Sequence, residues 1–538
     1  MTTYKFFCRS LLSELSLELV ISCDEEATKC LKLIESLLNY ELGVVAIDVE
    51  ESSIGDRFLE SAQTLLDEHF GRNLHIILLH LKILNSASLI RSSFADYEKA
   101  LFVLKRAESL YKDWRTARTE NSSFLTIAIK DLFNTSVCSP HGPSRNGEDS
   151  ETCSNVEKEY TQTVYYLAQV LEKRGECELA AKYCTETLVR QFESGDYEPI
   201  DWSVNAAILS QYYACHDMFG TARRLLAVAQ FQLDRVQDEE SELLGKRRAD
   251  LDRIFVKYCM ILLEKSNEEQ VGSDDASRIL SMSDPEVDRL ETGIPAARAV
   301  SYDTALTIFL FANKRLAAAI NFFTLNEHAS DHADCILDQS KLYQLLIHFQ
   351  SEAGKICKMH KRRIDLLQKL LMDLNPAYFL AHVRRILFEL GETYSDYSEM
   401  VRHKVADAED ASEGQVIRSA AVKVNALTVK AIQHFTRFVD SFRDKNGQLP
   451  VRFDADTTRP VLVAWFATGR LHTKKISSFP NEQLQFWTDS ETCYQQIVEY
   501  INKNPDQEHL IHEEIKVVRE MLPLIPEKKK LILSASLF

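Results

Sequence analysis

The side chains of this sequence best suited to chemistry crowd together at His328, Asp331, His332, Asp334 and Cys335. His328 and His332 are four positions apart, so one helix would present both imidazoles on the same face. Zinc requires converging ligands and neutral imidazoles; a polar helix start or loop accounts for the same residues and is the reading adopted. Cys357 and His360 would also meet on a helix, but nothing accompanies them to orient a nucleophile–base pair. His75 and His80 flank an apolar run and read as peripheral helix residues.

Carboxylates number 80 against 63 lysines and arginines, a formal charge of −17, so their pairing carries little information. Acid–base catalysis needs carboxylates in separated environments around a substrate-sized pocket. The glycines form neither a phosphate loop nor a dinucleotide fingerprint. No catalytic, metal-binding or cofactor-binding residue is assigned, no cofactor is required, and a non-enzymatic protein is expected. Glu148, Asp149, Glu151, Glu157 and Glu159 mark a solvated acidic stretch, with electrostatic steering of a basic partner as the alternative. Lys355, Lys358, His360, Lys361, Arg362 and Arg363 form the strongest basic cluster. Their spacing wraps charge around a helix, which fits a solvated face or a local ion-pair network. Lys358 and Arg362 are the candidates there for a secondary partner-binding patch. The acidic balance and the lack of a recognised reading module argue against nucleic acid.

Long helices must position all of these groups. The 538 residues are 45% hydrophobic and 27% charged, with 16 glycines and 12 prolines, a composition suited to helices rather than to turn-rich sheets. A single core rarely grows beyond about 250–300 residues, whereas a stacked helical array has no such limit. The twelve cysteines, Cys30, Cys184, Cys259 and Cys335 among them, are dispersed and lack metal spacing, which implies reduced cytosolic thiols. Met1–Ser10 lacks the layout of a secretory signal. The apolar run Leu306–Phe323 is broken by Asn313, Lys314, Arg315 and Asn321, so a buried helix pair is expected and no membrane insertion.

The expected organisation is N-terminal helical repeats over 1–137, an acidic polar loop at 138–159 and central tetratricopeptide-like repeats at 160–263. A polar insertion and linker at 264–300, a C-terminal helical repeat subdomain at 301–526 and a tail at 527–538 follow. Gly43 is read as a loop, Pro376 and Pro460 as helix starts, and Pro523 with Pro526 as a helix stop. The clearest signal is a repeat. Leu167, Ala168, Leu171, Ala180, Cys184 and Thr187 share their offsets with Leu209, Ser210, Tyr213, Ala222, Leu226 and Ala229, which lie 42 residues later. The ideal unit is about 34 residues, so the extra length is expected in the loop carrying Gly195 and Pro199. Superposing the two units aligns Tyr166 with Ile208 and Gln169 with Gln211, the glutamines at a first-helix position that faces the concavity of such a stack; Gln191 comes late in the intervening second helix. Polar packing at the repeat seams and contact with a partner are both open readings of these residues.

Three segments carry a more specific similarity: Tyr160–Tyr213, Lys355–Leu390 and Arg459–Lys474. The sequence resembles the kinesin-family-binding proteins, in an invertebrate-type form. The resemblance implies a right-handed all-α solenoid with two subdomains that holds selected kinesin motor domains and obstructs their microtubule attachment. An adaptor joining a kinesin to an organelle or transport complex is the alternative. It further implies a cytoplasmic, cytoskeleton-associated protein active in microtubule-based transport and neuronal development, with mitochondrial association through partners. Residue by residue it places motor contacts at Tyr166, Gln169, Gln191, Ile208 and Gln211. Ile208 departs from the small hydroxyl residue expected there, and a methyl-rich chain cannot replace a hydroxyl hydrogen bond. The oligomeric state is not specified by the sequence.

Overall fold

The computed structural model describes residues 25–120, 126, 146–237, 241–264, 284–406 and 414–535. Those residues contain eighteen α-helices and no strand. They fall into two compact units that meet in sequence at Tyr212 and Tyr213.

The first unit holds α1 (Glu25–Asp48), α2 (Ser52–His69), α3 (Ile77–Ser93), α4 (Tyr97–Glu120), α5 (Asn146–Lys173), α6 (Cys177–Ser194) and most of α7 (Pro199–Cys215). From α1 to α6 each helix packs on the next, and α3 also packs on α5, the nearest-neighbour stacking of a solenoid. Small residues permit close approach in both halves of this ladder. Gly43 lies inside α1, not in the expected loop, because it faces Gly55 of α2 across a crossing with little room. A Cβ on Gly43 would come within 2.9 Å of Leu59, and one on Gly55 within 3.1 Å of the Gly43 carbonyl oxygen. In α4, Ala100, Leu104 and Ala107 are fully buried in the small–large–small order that the sequence shows.

Two expectations about α5–α7 are corrected. The segment expected as a loop to residue 159 is helical from Asn146, since Cys153, Val156 and Tyr160 recur at helical spacing on the buried face; residues 138–145 lie outside the described residues. The extra repeat length is not in a loop. Only residues 195–198 connect α6 to α7, Gly195 closing α6 at φ 68° and Pro199 opening α7, whereas α6 itself runs to 18 residues.

The second unit holds α8 (Phe219–Asp234), α9 (Glu242–Glu264), α10 (Pro285–Thr292), α11 (Tyr302–Phe322), α12 (Ala329–Ile347), α13 (Ala353–Asp373), α14 (Leu380–Ala406), α15 (Gly414–Asp440), α16 (Ala455–Thr473), α17 (Pro480–Lys503) and α18 (His512–Ala535). From α11 onward each helix packs on the next. One continuous core runs from Ala333 to Ile525. Ser301 and Thr304 cap α11 reciprocally, and Asp284 caps α10 within the expected linker.

Prolines do less here than the sequence suggests. Helix α16 begins at Ala455 and carries Pro460 inside, because Thr458, Val461 and Leu462 anchor the turn around it. Helix α18 continues through Pro523, Pro526 and the expected tail to Ala535, with Ile525 fully buried between the two rings. Pro376 lies in the turn ahead of α14 and not at its first position. Residues 407–413 lie outside the described residues.

Among the described residues, two helical segments, Leu74–Ser93 and Tyr302–Phe322, are long and apolar enough to cross a membrane by composition. Both pack on neighbouring helices, and α11 carries Arg315, which pairs with Asp252 at 3.1 Å and lies 4.1 Å from the Phe255 ring. Cys30 is disulfide-bonded, which departs from the expectation of thiols throughout and which dispersed spacing could not reveal. Eight other described cysteines are reduced thiols.

Candidate functional site

The repeat-derived residues sit on α5, α6 and α7 of the first unit. Helix α5 buries Val164, Leu167, Ala168 and Leu171 and leaves Gln162, Tyr165 and Gln169 on its open side. Gln169 is exposed, and its Nε2 donates to the Tyr165 hydroxyl at 2.7 Å, one helical turn back. Tyr166 is half-buried, and its ring packs on the cluster of Ala100, Leu104, Leu167 and Val170. Burial pushes its hydroxyl pKa up, with Gln162 opposing and Glu159 reinforcing the shift. Tyr166 is thus both a seam residue and the edge of an open face.

Gln191 is half-buried in the last turn of α6, where its carbonyl accepts the Ser194 hydroxyl at 3.0 Å. Trp202 fixes α7 against α6. Its indole N–H donates to the Leu188 carbonyl at 3.0 Å, and its ring lies within about 6 Å of Phe192 and Tyr197. Ile208 then stands out from α7 at 54% exposure, with Gln211 half-buried one turn on. The structure therefore presents Gln169 and Ile208 openly on two first helices and leaves Tyr166, Gln191 and Gln211 partly covered. Among the described residues, no hydrogen bond joins one of the five to another.

Sequence reasoning missed two features. Tyr165, not Tyr166, offers the exposed aromatic of the pair, and its signal was the four-residue spacing to Gln169. Arg190 forms a hub that no repeat offset marks. It bonds Thr161 at 3.1 Å and Glu157 at 2.5 Å and lies over the Tyr160 ring at 4.6 Å, while Tyr160 stacks on Tyr111 at 3.5 Å. This hub locks α4, α5 and α6 together and positions the α5 face.

The other chemical candidates resolve into structure. Asp331 and Asp334 pair with Arg253 at 2.8 and 3.2 Å, His332 Nδ1 contacts the Phe323 carbonyl oxygen at 2.9 Å, and His328 precedes α12. Burial pushes the Cys335 thiol up to about 12. No metal-ready group of three or more His, Cys, Asp or Glu exists among the described residues. His80 is a core residue and not peripheral: burial, then Arg106, lowers its pKa to about 4, because α3 is apolar around most of its circumference. His360 is likewise buried, stacks on Tyr397 and is lowered to about 4 by burial and then Arg363.

The basic cluster on α13 divides in two. Arg363 points inward, fully buried, and bonds Glu389 at 2.6 Å and Ser340 at 3.2 Å. Lys355, Lys358, Lys361 and Arg362 are exposed; Lys355 pairs with Glu352 at 2.8 Å. Among the described residues no ion pair reaches Lys358 or Arg362.

Known proteins similar to this chain share nearly its whole length. Residues 200–532 match the family described as KIF-1 binding protein C terminal. The KIF-binding protein of Gallus gallus is 31% identical, over 97% of this chain and 92% of its own. The KIF-binding protein of Homo sapiens is 29% identical, over 92% and 83% respectively. That of Drosophila melanogaster is 28% identical, over 93% and 86%. The cryo-EM structure of KIFBP has the same fold, with a TM-score of 0.58 at 24% identity and 99% coverage of both chains.

Proposed function

The chain belongs to the KIF-binding protein family, and from that premise we propose that it is a non-enzymatic regulator that holds the motor domains of selected kinesins. Binding through the open sides of α5 and α7 blocks microtubule attachment of the captured motor. The observation that carries this reading is the similarity to KIF-binding proteins across 97% of the chain, joined to the exposure of Gln169 on α5 and Ile208 on α7. In this proposal Tyr165 and Tyr166 supply aromatic area, and Gln169, Gln191 and Gln211 both donate and accept hydrogen bonds. Ile208 replaces a hydroxyl contact by an apolar one and shifts the choice of motor.

Co-sedimentation tests it. A panel of purified motor domains is spun with microtubules, with and without this protein. The responsive motors should move from pellet to supernatant in proportion to added protein. A correctly folded sample that leaves every motor on the microtubule sinks the reading.

An adaptor joining a kinesin to an organelle or transport complex is the second reading, favoured by the outward Lys358 and Arg362. Simultaneous capture of motor and cargo distinguishes it from inhibition. Either role belongs to the cytoplasm beside the microtubule cytoskeleton, a placement that imaging of the tagged protein checks.

A further inference from the structure

A second surface in the C-terminal unit calls for a partner of its own. Helices α13 and α15 both pack on α14, and two tyrosines of α14 mark the seam between them. Tyr397 stacks on His360 of α13 and carries Lys423 of α15 over its ring at 5.2 Å. Tyr394 accepts a hydrogen bond from Gln368 of α13 at 2.8 Å and carries Lys430 of α15 over its ring at 5.5 Å. The order of these contacts makes α13 and α15 run in the same direction along the seam.

Positive charge lines it. Lys423, Lys430 and Arg437 recur every seven residues on α15, which at 1.5 Å per residue places successive charges about 10 Å apart. On α13, Lys361 directly follows His360, and both it and Lys358 are exposed. Lys361, Lys423, Lys430 and Arg437 are all exposed, and no ion pair reaches them among the described residues. Exposed Val422 and Val429 follow the same seven-residue step beside them. The chain as a whole carries −17. A basic row without ion-pair partners on such a protein is a local patch of positive potential that a complementary negative partner can recognise.

We propose that the α13–α15 seam is a docking site for a short acidic polypeptide segment bearing interspersed apolar side chains. A segment in polyproline II geometry advances about 3.1 Å per residue and repeats its side-chain direction every three residues, so a carboxylate at every third position meets each basic side chain of α15 in turn. Intervening apolar side chains meet Val422, Val429 and the edge of Tyr397. The net negative charge elsewhere on the chain repels a long polyanion or an anionic membrane, and a local acidic segment escapes most of that repulsion. The surface is built from α13–α15 alone and shares no residue with the proposed motor contacts.

The test uses the full chain and a fluorescein-labelled glutamate-rich peptide containing leucine, followed by fluorescence polarisation. Binding should be measurable at low ionic strength and weaken as salt rises towards about 0.15 M, where the screening length is about 8 Å. Lys423→Glu with Lys430→Glu should weaken it about tenfold or more, as charge reversal at a close pair does. Lys423→Gln with Lys430→Gln should weaken it less, and it keeps the test decisive should reversal disturb packing over Tyr394. Lys445→Glu, an exposed charge-matched control, should leave it unchanged. The proposal is overturned by no peptide binding at low salt, by an equal loss in the Lys445 variant, or by a single-stranded oligonucleotide or phosphatidylserine vesicle that binds while the peptide does not compete.

Discussion

At the scale of single residues, exposure decides which part of the candidate surface a variant tests cleanly. Gln169 is exposed, and among the described residues its side chain hydrogen-bonds Tyr165 alone. Gln169→Ala should therefore weaken capture of a responsive motor by about 1–2 kcal/mol, as interface residues of intermediate weight do, while the melting temperature holds; titration against immobilised motor domain measures it. Tyr166→Ala also vacates space beside Leu104 and Leu167, so lost stability accompanies lost binding there. Tyr166→Phe separates the hydroxyl from the ring.

A second residue-scale prediction concerns Glu392 on α14. Burial, then the neighbouring Glu389 and Asp396, pushes its pKa up to about 7. The unfolded carboxyl ionises near its ordinary value of 4.5, so raising the pH from there charges the unfolded state first and erodes folding stability. The erosion ends above about 7, with an upper limit of about 3 kcal/mol from 1.36 kcal/mol per pH unit. Glu392→Gln should therefore raise the melting temperature of the C-terminal unit at pH 8 and change it little at pH 4.5. A thermal melt series across pH checks both ends.

At the scale of elements, close helix approach depends on glycines more than on hydrophobic pattern. Gly391 of α14 receives the ring of Phe435 from α15, and a Cβ there would stand 2.7 Å from it. That ring is fully buried and cannot yield without moving α15. Gly391→Ala should destabilise by about 1–3 kcal/mol, the usual range for overpacking. Denaturant unfolding measures the loss, and Phe435→Leu in the same chain should recover part of it. The prolines follow the same logic in reverse. Pro460, Pro523 and Pro526 each remove one helical amide donor, yet Val461 and Ile525 are fully buried beside them, and side-chain packing outweighs the missing backbone bond.

At the scale of the whole molecule, charge governs encounter. Under the proposed function, a chain at −17 should attract a basic motor surface from a distance, and ions shorten that reach from about 10 Å at 0.1 M to about 3 Å at 1 M. The association rate should fall steeply with salt while the dissociation rate changes much less. Stopped-flow mixing with one responsive motor separates the two, and a salt-independent association rate would assign the acidic balance to solubility alone.

Periodicity alone determined the helical class and the repeated α5–α8 offsets, because a residue's place on a helix face follows directly from its spacing. The quoted segments were also long enough to reveal the family. Only the tertiary structure decided which members of a local cluster turn inward, since that depends on what a neighbouring helix brings. Arg363 is buried because Glu389 and Ser340 meet it, while adjacent Arg362 is exposed. Tyr166 is a seam residue because Ala100 and Leu104 of another helix lie beneath it, and so Tyr165 takes the open side. The Arg190 hub and the α13–α15 seam each join residues distant in sequence. No spacing within a single helix encodes such a meeting, because the energy that fixes it is shared across helices.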